Sequence, residues 1–462
     1  MGKLFGSSGV RGLVNVELTP ILACNVSLAV ATYAKAKCAV VACDTRVSGE
    51  MIQNALVSGL ISCGVTVYTV GMVPTPVLAY TIRMLGADVG FMITASHNPP
   101  QYNGIKVFNS KTLSYVDSDQ EAVEKIISER SYALTDWHCL GKIISYDTDA
   151  CSAYFEMVKH VVLLRKKWHV VVDPGCGAAY SVAPRMLKLL GCKVTVLNGQ
   201  PDGYFPARAS EPTVASLEDL SKTVCALGAD IGIAFDGDAD RVAFVDEHGV
   251  FVNFDHSLAA YSSYSLKQTT HGNDGVGGGA VVVTNVEASM CVEAMVECLG
   301  GKVVRTKVGD IYISKAIECS GAVFGGEPCG AWVHPLQHYC PDGPLSAALF
   351  LKALEAEGKS VSEFIEKIPK YITLRENVKC TNDIKTKTVT SIAATLKDNF
   401  SDYTDFSTID GIRLTLKKGW LLIRASGTEP LIRITVEGKS DLVAKELMHK
   451  VTALIHRQIE DS

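Results

Sequence analysis

The sequence predicts an α/β protein: three similar α/β domains with mixed sheets, followed by a smaller C-terminal α+β domain. The first observation is a recurrence. Segments running from Ala39 to Gly71, His169 to Gly199 and Gly279 to Gly309 share one pattern of about thirty residues, the size of a βαβ unit. The second is the makeup of each copy. A β-branched apolar run suited to a strand buried on both faces passes through a polar loop into helical spacing, as at Met51, Ala55, Leu56 and Leu60. A glycine (Gly64, Gly191, Gly301) stops the helix and a second apolar run closes the unit. The copies lie too far apart for solenoid turns and mark repeated domains.

The third observation is that the chain changes character after Tyr371. A helical stretch near Thr386 to Lys397 precedes three β-like runs near Ile412, Leu421 and Ile432. A final amphipathic helix then carries Leu442, Leu447, Val451, Leu454 and Ile455, so helices on an antiparallel sheet are expected. The domain boundaries that follow are 1–145, 146–253, 254–370 and 371–462.

Bulk properties bound the function. A chain of 462 residues exceeds one core, and 47% hydrophobic with 20% charged residues is the composition of a globular protein. A net charge of −5 argues against nucleic acid as a partner. No stretch approaches the roughly 20 apolar residues of a membrane span. Met1 to Gly6 has no signal-peptide core, and Gly6 stands where a myristoylation signal needs Ser or Thr. The 15 cysteines, from Cys24 to Cys380, include no C-x-x-C pair and read as buried free thiols in a reducing cytoplasm.

Five loops carry chemistry, in chain order. Ser7-Ser8-Gly9-Val10-Arg11-Gly12 is a glycine-flexed loop with one cation. Thr94-Ala95-Ser96-His97-Asn98-Pro99 follows the apolar run Val89 to Ile93, which puts Ser96 at a strand's C-terminal end, where open α/β sheets keep their ligands. Beside His97, and with Lys106 ten residues on, its hydroxyl reads either as an activated or phosphorylated nucleophile or as an ordinary turn residue. Asp236-Gly237-Asp238-Ala239-Asp240-Arg241 lies between two apolar strands. Three carboxylates at alternate positions repel one another unless a cation joins them, and an all-oxygen set suits magnesium. A solvated acidic turn is the competing reading. Gly326-Glu327-Pro328-Cys329-Gly330 could present Glu327 to sugar hydroxyls. Arg424-Ala425-Ser426-Gly427-Thr428-Glu429-Pro430, with Arg433 beyond it, combines guanidinium groups, hydroxyls and exposed backbone N–H groups for an anion. The glycine-rich stretch H-G-N-D-G-V-G-G-G ending at Gly279 lacks the Lys-Ser/Thr ending of a phosphate-cradling loop and reads as a surface loop.

Taken together and in this order, F-G-S-S-G-V-R-G, T-A-S-H-N-P, D-G-D-A-D-R, G-E-P-C-G and R-A-S-G-T-E-P resemble the motifs of the α-D-phosphohexomutases. The resemblance covers essentially the whole chain and implies four domains around a central cleft. It implies that Ser96 is the phosphoserine, and that Asp236, Asp238 and Asp240 bind Mg²⁺ together with a phosphoserine oxygen. Arg11, His97, Lys106 and Arg241 are then placed around the transferring group. Glu327 and Cys329, with Lys307, Gly309 and Asp310, are placed at the sugar. Arg424, Ser426, Gly427, Thr428 and Arg433 are placed at the idle phosphate. The implied reaction moves phosphate between C1 and C6 of a hexose or hexosamine phosphate through a sugar bisphosphate, with a glucose 1,6-bisphosphate type of activator. The implied partner is a small phosphosugar, with the chain a monomer or homodimer.

Two positions depart from the family pattern. Cys329 stands where serine is usual, and Ala331 where histidine is frequent; a thiol bonds more weakly than a hydroxyl and alanine not at all. His334 could stand in. These departures leave the sugar open between glucose, mannose and glucosamine phosphates. Rival readings are a metal-dependent sugar-phosphate phosphatase with Asp236 as nucleophile and a non-catalytic sugar-phosphate-binding protein. A dinucleotide-binding dehydrogenase, suggested by Gly175-Cys176-Gly177, lacks its third glycine, with Tyr180 in place.

Overall fold

The computed structural model describes residues 4–6, 9–270, 279–426 and 429–460. The glycine-rich stretch before Gly279 and the motif residues Ser7, Ser8, Gly427 and Thr428 lie outside the described residues. The chain divides into two compact units: Met1–Ser257 with Gly309–Lys367, and Leu258–Val308 with Ile368–Ser462.

In the first unit, the largest sheet takes its core from Cys38–Cys43, flanked in parallel by Val89–Ile93 and Thr66–Met72. The five residues of Val89–Ile93 are all buried, as an uninterrupted apolar run between two covered faces requires. Tyr102–Asn109 turns back antiparallel beside that strand, placing Lys106 opposite Met92, and Gly9–Leu13 pairs with its other edge, placing Arg11 opposite Gly104. The sheet is mixed, as expected. The second sheet repeats the plan. His169–Asp173 pairs in parallel with Lys193–Val196 and Ile231–Phe235, and Val242–Val245 returns antiparallel. The hairpin Phe324–Gly326 with Trp332–Val333 belongs to this unit too, its loop carrying Glu327 and Cys329.

In the second unit, Val281–Asn285 and Lys302–Thr306 form a parallel pair linked by the short helix Cys291–Glu297. The C-terminal sheet is antiparallel throughout, in the order Ile372–Lys379, Leu431–Gly438, Gly419–Ala425, Ile412–Leu416 and Tyr403–Ser407. Helices Lys385–Asn399 and Asp441–Glu460 contribute Ile392, Leu396, Val451 and Ile455 to the core of that sheet. Five strands stand where the sequence suggested three. The two additional ones are the sheet's edges, where solvent replaces a neighbour and the apolar pattern fades.

All fifteen cysteines are free, but only Cys176, Cys192, Cys291, Cys340 and Cys380 are fully buried. Cys139, Cys225, Cys298 and Cys319 are exposed, which corrects the expectation of buried thiols. Cys225 and Cys319, for instance, sit on the outer faces of the helices Glu218–Leu227 and Asp310–Ser320, where an apolar neighbourhood in sequence is a solvent face in space.

His334 lies in the core rather than at a presented sugar site. Its Nε2 is 2.9 Å from Ser346 Oγ, and its ring tilts over Phe324 at 5.5 Å. Nearby, Asp342 accepts from Tyr154 (2.7 Å), His338 (3.0 Å) and the Leu345 amide (2.9 Å), capping helix Gly343–Glu357. Burial drives the His334 pKa down to about 4, against the pull of Asp342. The unfolded chain binds this proton more readily, so stability is complete above the ordinary histidine value and is lost as pH falls toward 4. Urea midpoints of the wild type should fall between pH 7 and 4.5, with up to about 3 kcal/mol traceable to His334. In His334→Gln the decline should be shallower by that amount, and an unchanged slope would contradict the assignment.

Candidate active site

Ser96 sits where a strand ends and a turn begins, in the left-handed backbone region at φ 50°, which a side chain adopts only when its surroundings enforce it. Two residues that sequence reading passed over do the enforcing. Asp44 and Arg46 follow the strand Cys38–Cys43, and both are buried. Asp44 Oδ2 accepts from Thr94 Oγ1 at 2.6 Å, and Thr94 Oγ1 in turn accepts from the Ser96 amide at 2.8 Å. Arg46 donates from Nε to Asp44 (3.1 Å), from Nη1 to the carbonyls of Pro99 (2.7 Å) and Tyr102 (2.8 Å), and from Nη2 to those of Ser96 (2.9 Å) and Asn98 (2.6 Å). Its five donors are thereby spent on holding the loop, and its face lies 5.1 Å from the Phe205 ring. The signal was present in D-T-R after an apolar strand, but a phosphate ligand and a loop clamp look alike in sequence.

The acidic loop meets this one directly. A Cβ on Gly237 would lie 2.5 Å from the Ser96 carbonyl oxygen, so only glycine permits the approach. Asp236, Asp238 and Asp240 are buried, with a carboxylate oxygen from each lying within 4.8 Å of the others. Ser96 Oγ donates to Asp236 Oδ2 at 2.6 Å. Lys106 Nζ donates to Asp238 (2.6 Å) and Asp240 (2.5 Å), and Thr75 Oγ1 donates to Asp238 at 2.5 Å. Burial works against charge throughout. Asp238 is nonetheless held below the carboxylate range by Lys106, and Lys106 is held above the lysine range by Asp238 and Asp240. Asp236 has no such partner; burial, then Asp240 and Asp238, push it well up.

The donor set fits a divalent cation. Asp238 Oδ1 and Asp240 Oδ1 are buried with no hydrogen-bond partner, while Arg11 Nε, also buried, has no acceptor. Orphaned carboxylate oxygens beside an orphaned guanidinium N–H are the complements of a metal ion and an anion. Arg11 Nη1 is fixed by Asn98 Oδ1 at 2.9 Å. Burial opposes the charge on Arg241, but the carboxylates of Asp236, Asp240 and Glu327 around it more than compensate. His97 Nδ1 is 3.4 Å from Ser96 Oγ, and burial with Arg241 and Arg11 pushes its pKa down to about 3, leaving a neutral ring.

Glu327 and Cys329, on the hairpin loop of this unit, join the same cluster. The Val242 amide donates to the Gly330 carbonyl, and Arg241 bridges to Ala331, tying Glu327 and Cys329 to the acidic loop. Glu327 Oε1 accepts the Gly309 amide at 2.8 Å. Burial pushes the Cys329 thiol up to about 12, so it stays protonated, and raises Asp310 as well.

Lys307, Arg424, Ser426 and Arg433 fall in the second unit. Arg424 and Arg433 face each other across the two central strands. Arg424 pairs with Glu287 and, at 3.0 Å, with Asp410; Arg433 pairs with Glu429 at 2.9 Å. Ser426 Oγ accepts the Glu429 amide at 3.2 Å. Lys385, which the sequence gave no reason to select, is buried and donates to the Ser426 and Glu429 carbonyls, holding both ends of the loop.

A fold with this order of domains and loops defines a class. Four phosphoglucomutase/phosphomannomutase domain families match in succession: α/β/α domain I over residues 2–133, domain II over 152–249, domain III over 253–371 and the C-terminal domain over 376–454. The probable phosphoglucosamine mutase of Pyrococcus horikoshii is 41% identical, covering 100% of this chain and 99% of the relative. A phosphoglucomutase/phosphomannomutase family protein from Burkholderia thailandensis has a TM-score of 0.87 at 26% identity, covering 99% of this chain and 97% of that one. The N-acetylphosphoglucosamine mutase of Aspergillus fumigatus, solved with GlcNAc-6P and magnesium, shares the fold at 15% identity and a TM-score of 0.61, over 99% and 96% of the two chains. The chain belongs to the α-D-phosphohexomutase family. It is a mutase, and so an isomerase. Among the described residues no helix is long and apolar enough to cross a membrane.

Arg46→Lys should remain folded but lose about 2–4 kcal/mol of stability, because a single ammonium cannot reach four carbonyls and an aspartate at once. Denaturant midpoints check this, and a loss below about 0.5 kcal/mol would show the clamp to be dispensable.

Proposed function

We propose that this mutase interconverts glucosamine 6-phosphate and glucosamine 1-phosphate, with Ser96 as the phosphoryl carrier. The observation that carries the reading is the Ser96 hydroxyl, 1% exposed, held on Asp236 beside the buried triad and Lys106. The choice of glucosamine rests on the name of the Pyrococcus relative at 41% identity.

In this reading a sugar hydroxyl attacks the phosphorus on Ser96, the Oγ–P bond breaks and a sugar bisphosphate forms. The bisphosphate turns, and its other phosphate returns to Ser96. Asp236, Asp238 and Asp240, with a phosphoserine oxygen, would hold Mg²⁺, which when bound draws charge from the phosphoryl oxygens. Lys106 bonds two of the three carboxylates and offsets their repulsion. Arg11 and Arg241 offer positive charge to the spreading negative charge of the transition state. His97, neutral, packs against the nucleophile without adding charge. Glu327 and Cys329, with Lys307, Gly309 and Asp310, recognise the sugar. Arg424, Ser426, Gly427, Thr428 and Arg433 hold the phosphate that is not reacting. A trace of sugar bisphosphate would load Ser96 at the start. Fifteen free thiols and the absence of a membrane-spanning helix among the described residues suit a cytoplasmic enzyme.

The test is phosphorus NMR of glucosamine 6-phosphate incubated with the protein, Mg²⁺ and a trace of glucose 1,6-bisphosphate. The 1-phosphate should appear, with kcat/KM above that for mannose and glucose phosphates. Ser96→Ala should lower kcat by about 10⁴-fold or more, as loss of a nucleophile does, and abolish phosphate incorporation seen by intact mass. A mutant that keeps turnover would exclude Ser96 as carrier; faster mannose phosphate conversion would overturn the choice of sugar. Chelation with EDTA should stop turnover and lower Tm, and Asp238→Ala should lose the Tm response to added Mg²⁺.

A further inference from the structure

We infer that Asp410 is a positioning residue that ties the phosphate-binding arginine to the segment carrying the sugar-recognition residue Lys307. This rests on and deepens the proposed function. Asp410 lies in the turn between strands Tyr403–Ser407 and Ile412–Leu416. One of its oxygens, Oδ2, meets Arg424 Nη2 at 3.0 Å and accepts the Val308 backbone amide at 3.1 Å. All three residues lie within the same compact unit. The turn is built for this contact. Gly411 has φ 78°, and a Cβ there would lie 2.7 Å from Arg424 Cγ and 2.3 Å from the Ile423 carbonyl oxygen. Only glycine lets the preceding aspartate reach under the arginine.

The other pairs nearby differ in kind. Arg433 with Glu429 is an exposed pair, each side chain more than half accessible, of the sort that contributes little. Glu287 binds Arg424 but not the Val308 amide through its side chain, so it can orient the guanidinium without touching the sugar segment. Asp410 does both with one atom. The two side chains of this pair are about a quarter exposed or less, Arg424 at 25% and Asp410 at 22%, where a charge-assisted bond outweighs a surface pair. The arginine assigned to the idle phosphate and the backbone next to Lys307 are therefore registered on a single carboxylate. Removing it should loosen both; removing Glu287 should loosen one.

The experiment uses the full-length protein as Asp410→Ala, Asp410→Asn and Glu287→Ala. Hydrogen–deuterium exchange of the unliganded protein reads the Lys307–Val308 amides, and calorimetry reads affinities for inorganic phosphate and for glucosamine 6-phosphate. Exchange at Val308 should rise about tenfold in Asp410→Ala, remain near wild type in Glu287→Ala, and stay largely protected in Asp410→Asn, whose amide oxygen still accepts the N–H. Phosphate affinity should fall about tenfold in both alanine variants, with a further fall for the sugar phosphate in Asp410→Ala only. Equal losses for the two ligands in both alanine variants, or unchanged Val308 exchange in Asp410→Ala, would overturn the inference. The mutase reading fails by a different result, a wild type that converts no sugar phosphate, and the exchange measurement stands apart from that outcome.

Discussion

Three buried carboxylates on one short loop are the constraint to which much of the first unit answers. Asp236, Asp238 and Asp240 cannot share so small a space in a low-dielectric interior without compensating charge. Lys106 reaches them from a different sheet, Thr75 from the start of the helix Thr75–Leu85, and Ser96 from the loop after Val89–Ile93. Each of those groups belongs to the first α/β domain, while the aspartates belong to the second. The electrostatic need of the acidic loop is thus also what fastens the two domains at their functional edge. The Gly343 amide, which donates to the Ala239 carbonyl, secures the loop from behind.

Repetition extends from architecture to a structural role. The residue closing the first strand of each repeat, or its carbonyl, holds a largely buried arginine: Asp44 with Arg46, Asp173 with Arg208 at 2.9 Å, and the Asn285 carbonyl with Arg305 at 2.7 Å. Arg208 then bonds the carbonyls of Phe235 and Ala209, steadying the strand that leads into the acidic loop. Arg305 bonds the Ala288 carbonyl and Glu293 in the loop and helix after its own strand. The task is the same in each copy, a guanidinium gathering carbonyls at the strand ends where loops leave the sheet. The arginine itself comes from a different place in the chain each time, so the role repeats where the sequence does not.

That difference explains what could be read beforehand. The triad stood out because three carboxylates lie between two apolar strands, whereas Ser96 read equally as a turn residue until the other motifs joined it. The repeated strand–helix–strand pattern was legible because burial on both faces leaves a continuous apolar run. Arg46, Thr75, Lys385 and Asp410 were not, because their partners lie between two and 163 positions away and each alone is an ordinary loop or helix residue. The edge strands Ile372–Lys379 and Tyr403–Ser407 were missed for a related reason: pairing with an apolar neighbour makes them strands, not their own composition. His334 shows the converse, a histidine near a functional loop whose ring serves the core.

The geometry around Asp236 bears on the proposal that Ser96, rather than the aspartate, carries the phosphoryl group. A carboxylate nucleophile needs a free oxygen turned toward its target. Asp236 Oδ2 accepts the Ser96 hydroxyl, and Oδ1 accepts the Arg241 backbone amide at 3.2 Å. Both oxygens are thus engaged in fixing neighbours, one of them the serine itself. Ser96 by contrast has its loop fixed through the backbone, by Thr94 and Arg46, while its hydroxyl is presented to the acidic loop as a donor to Asp236. Its near-complete burial also matters chemically. On the proposed reading, a site that activates a phosphoserine for transfer to a sugar hydroxyl would activate it equally toward water, and the burial of Ser96 limits that side reaction.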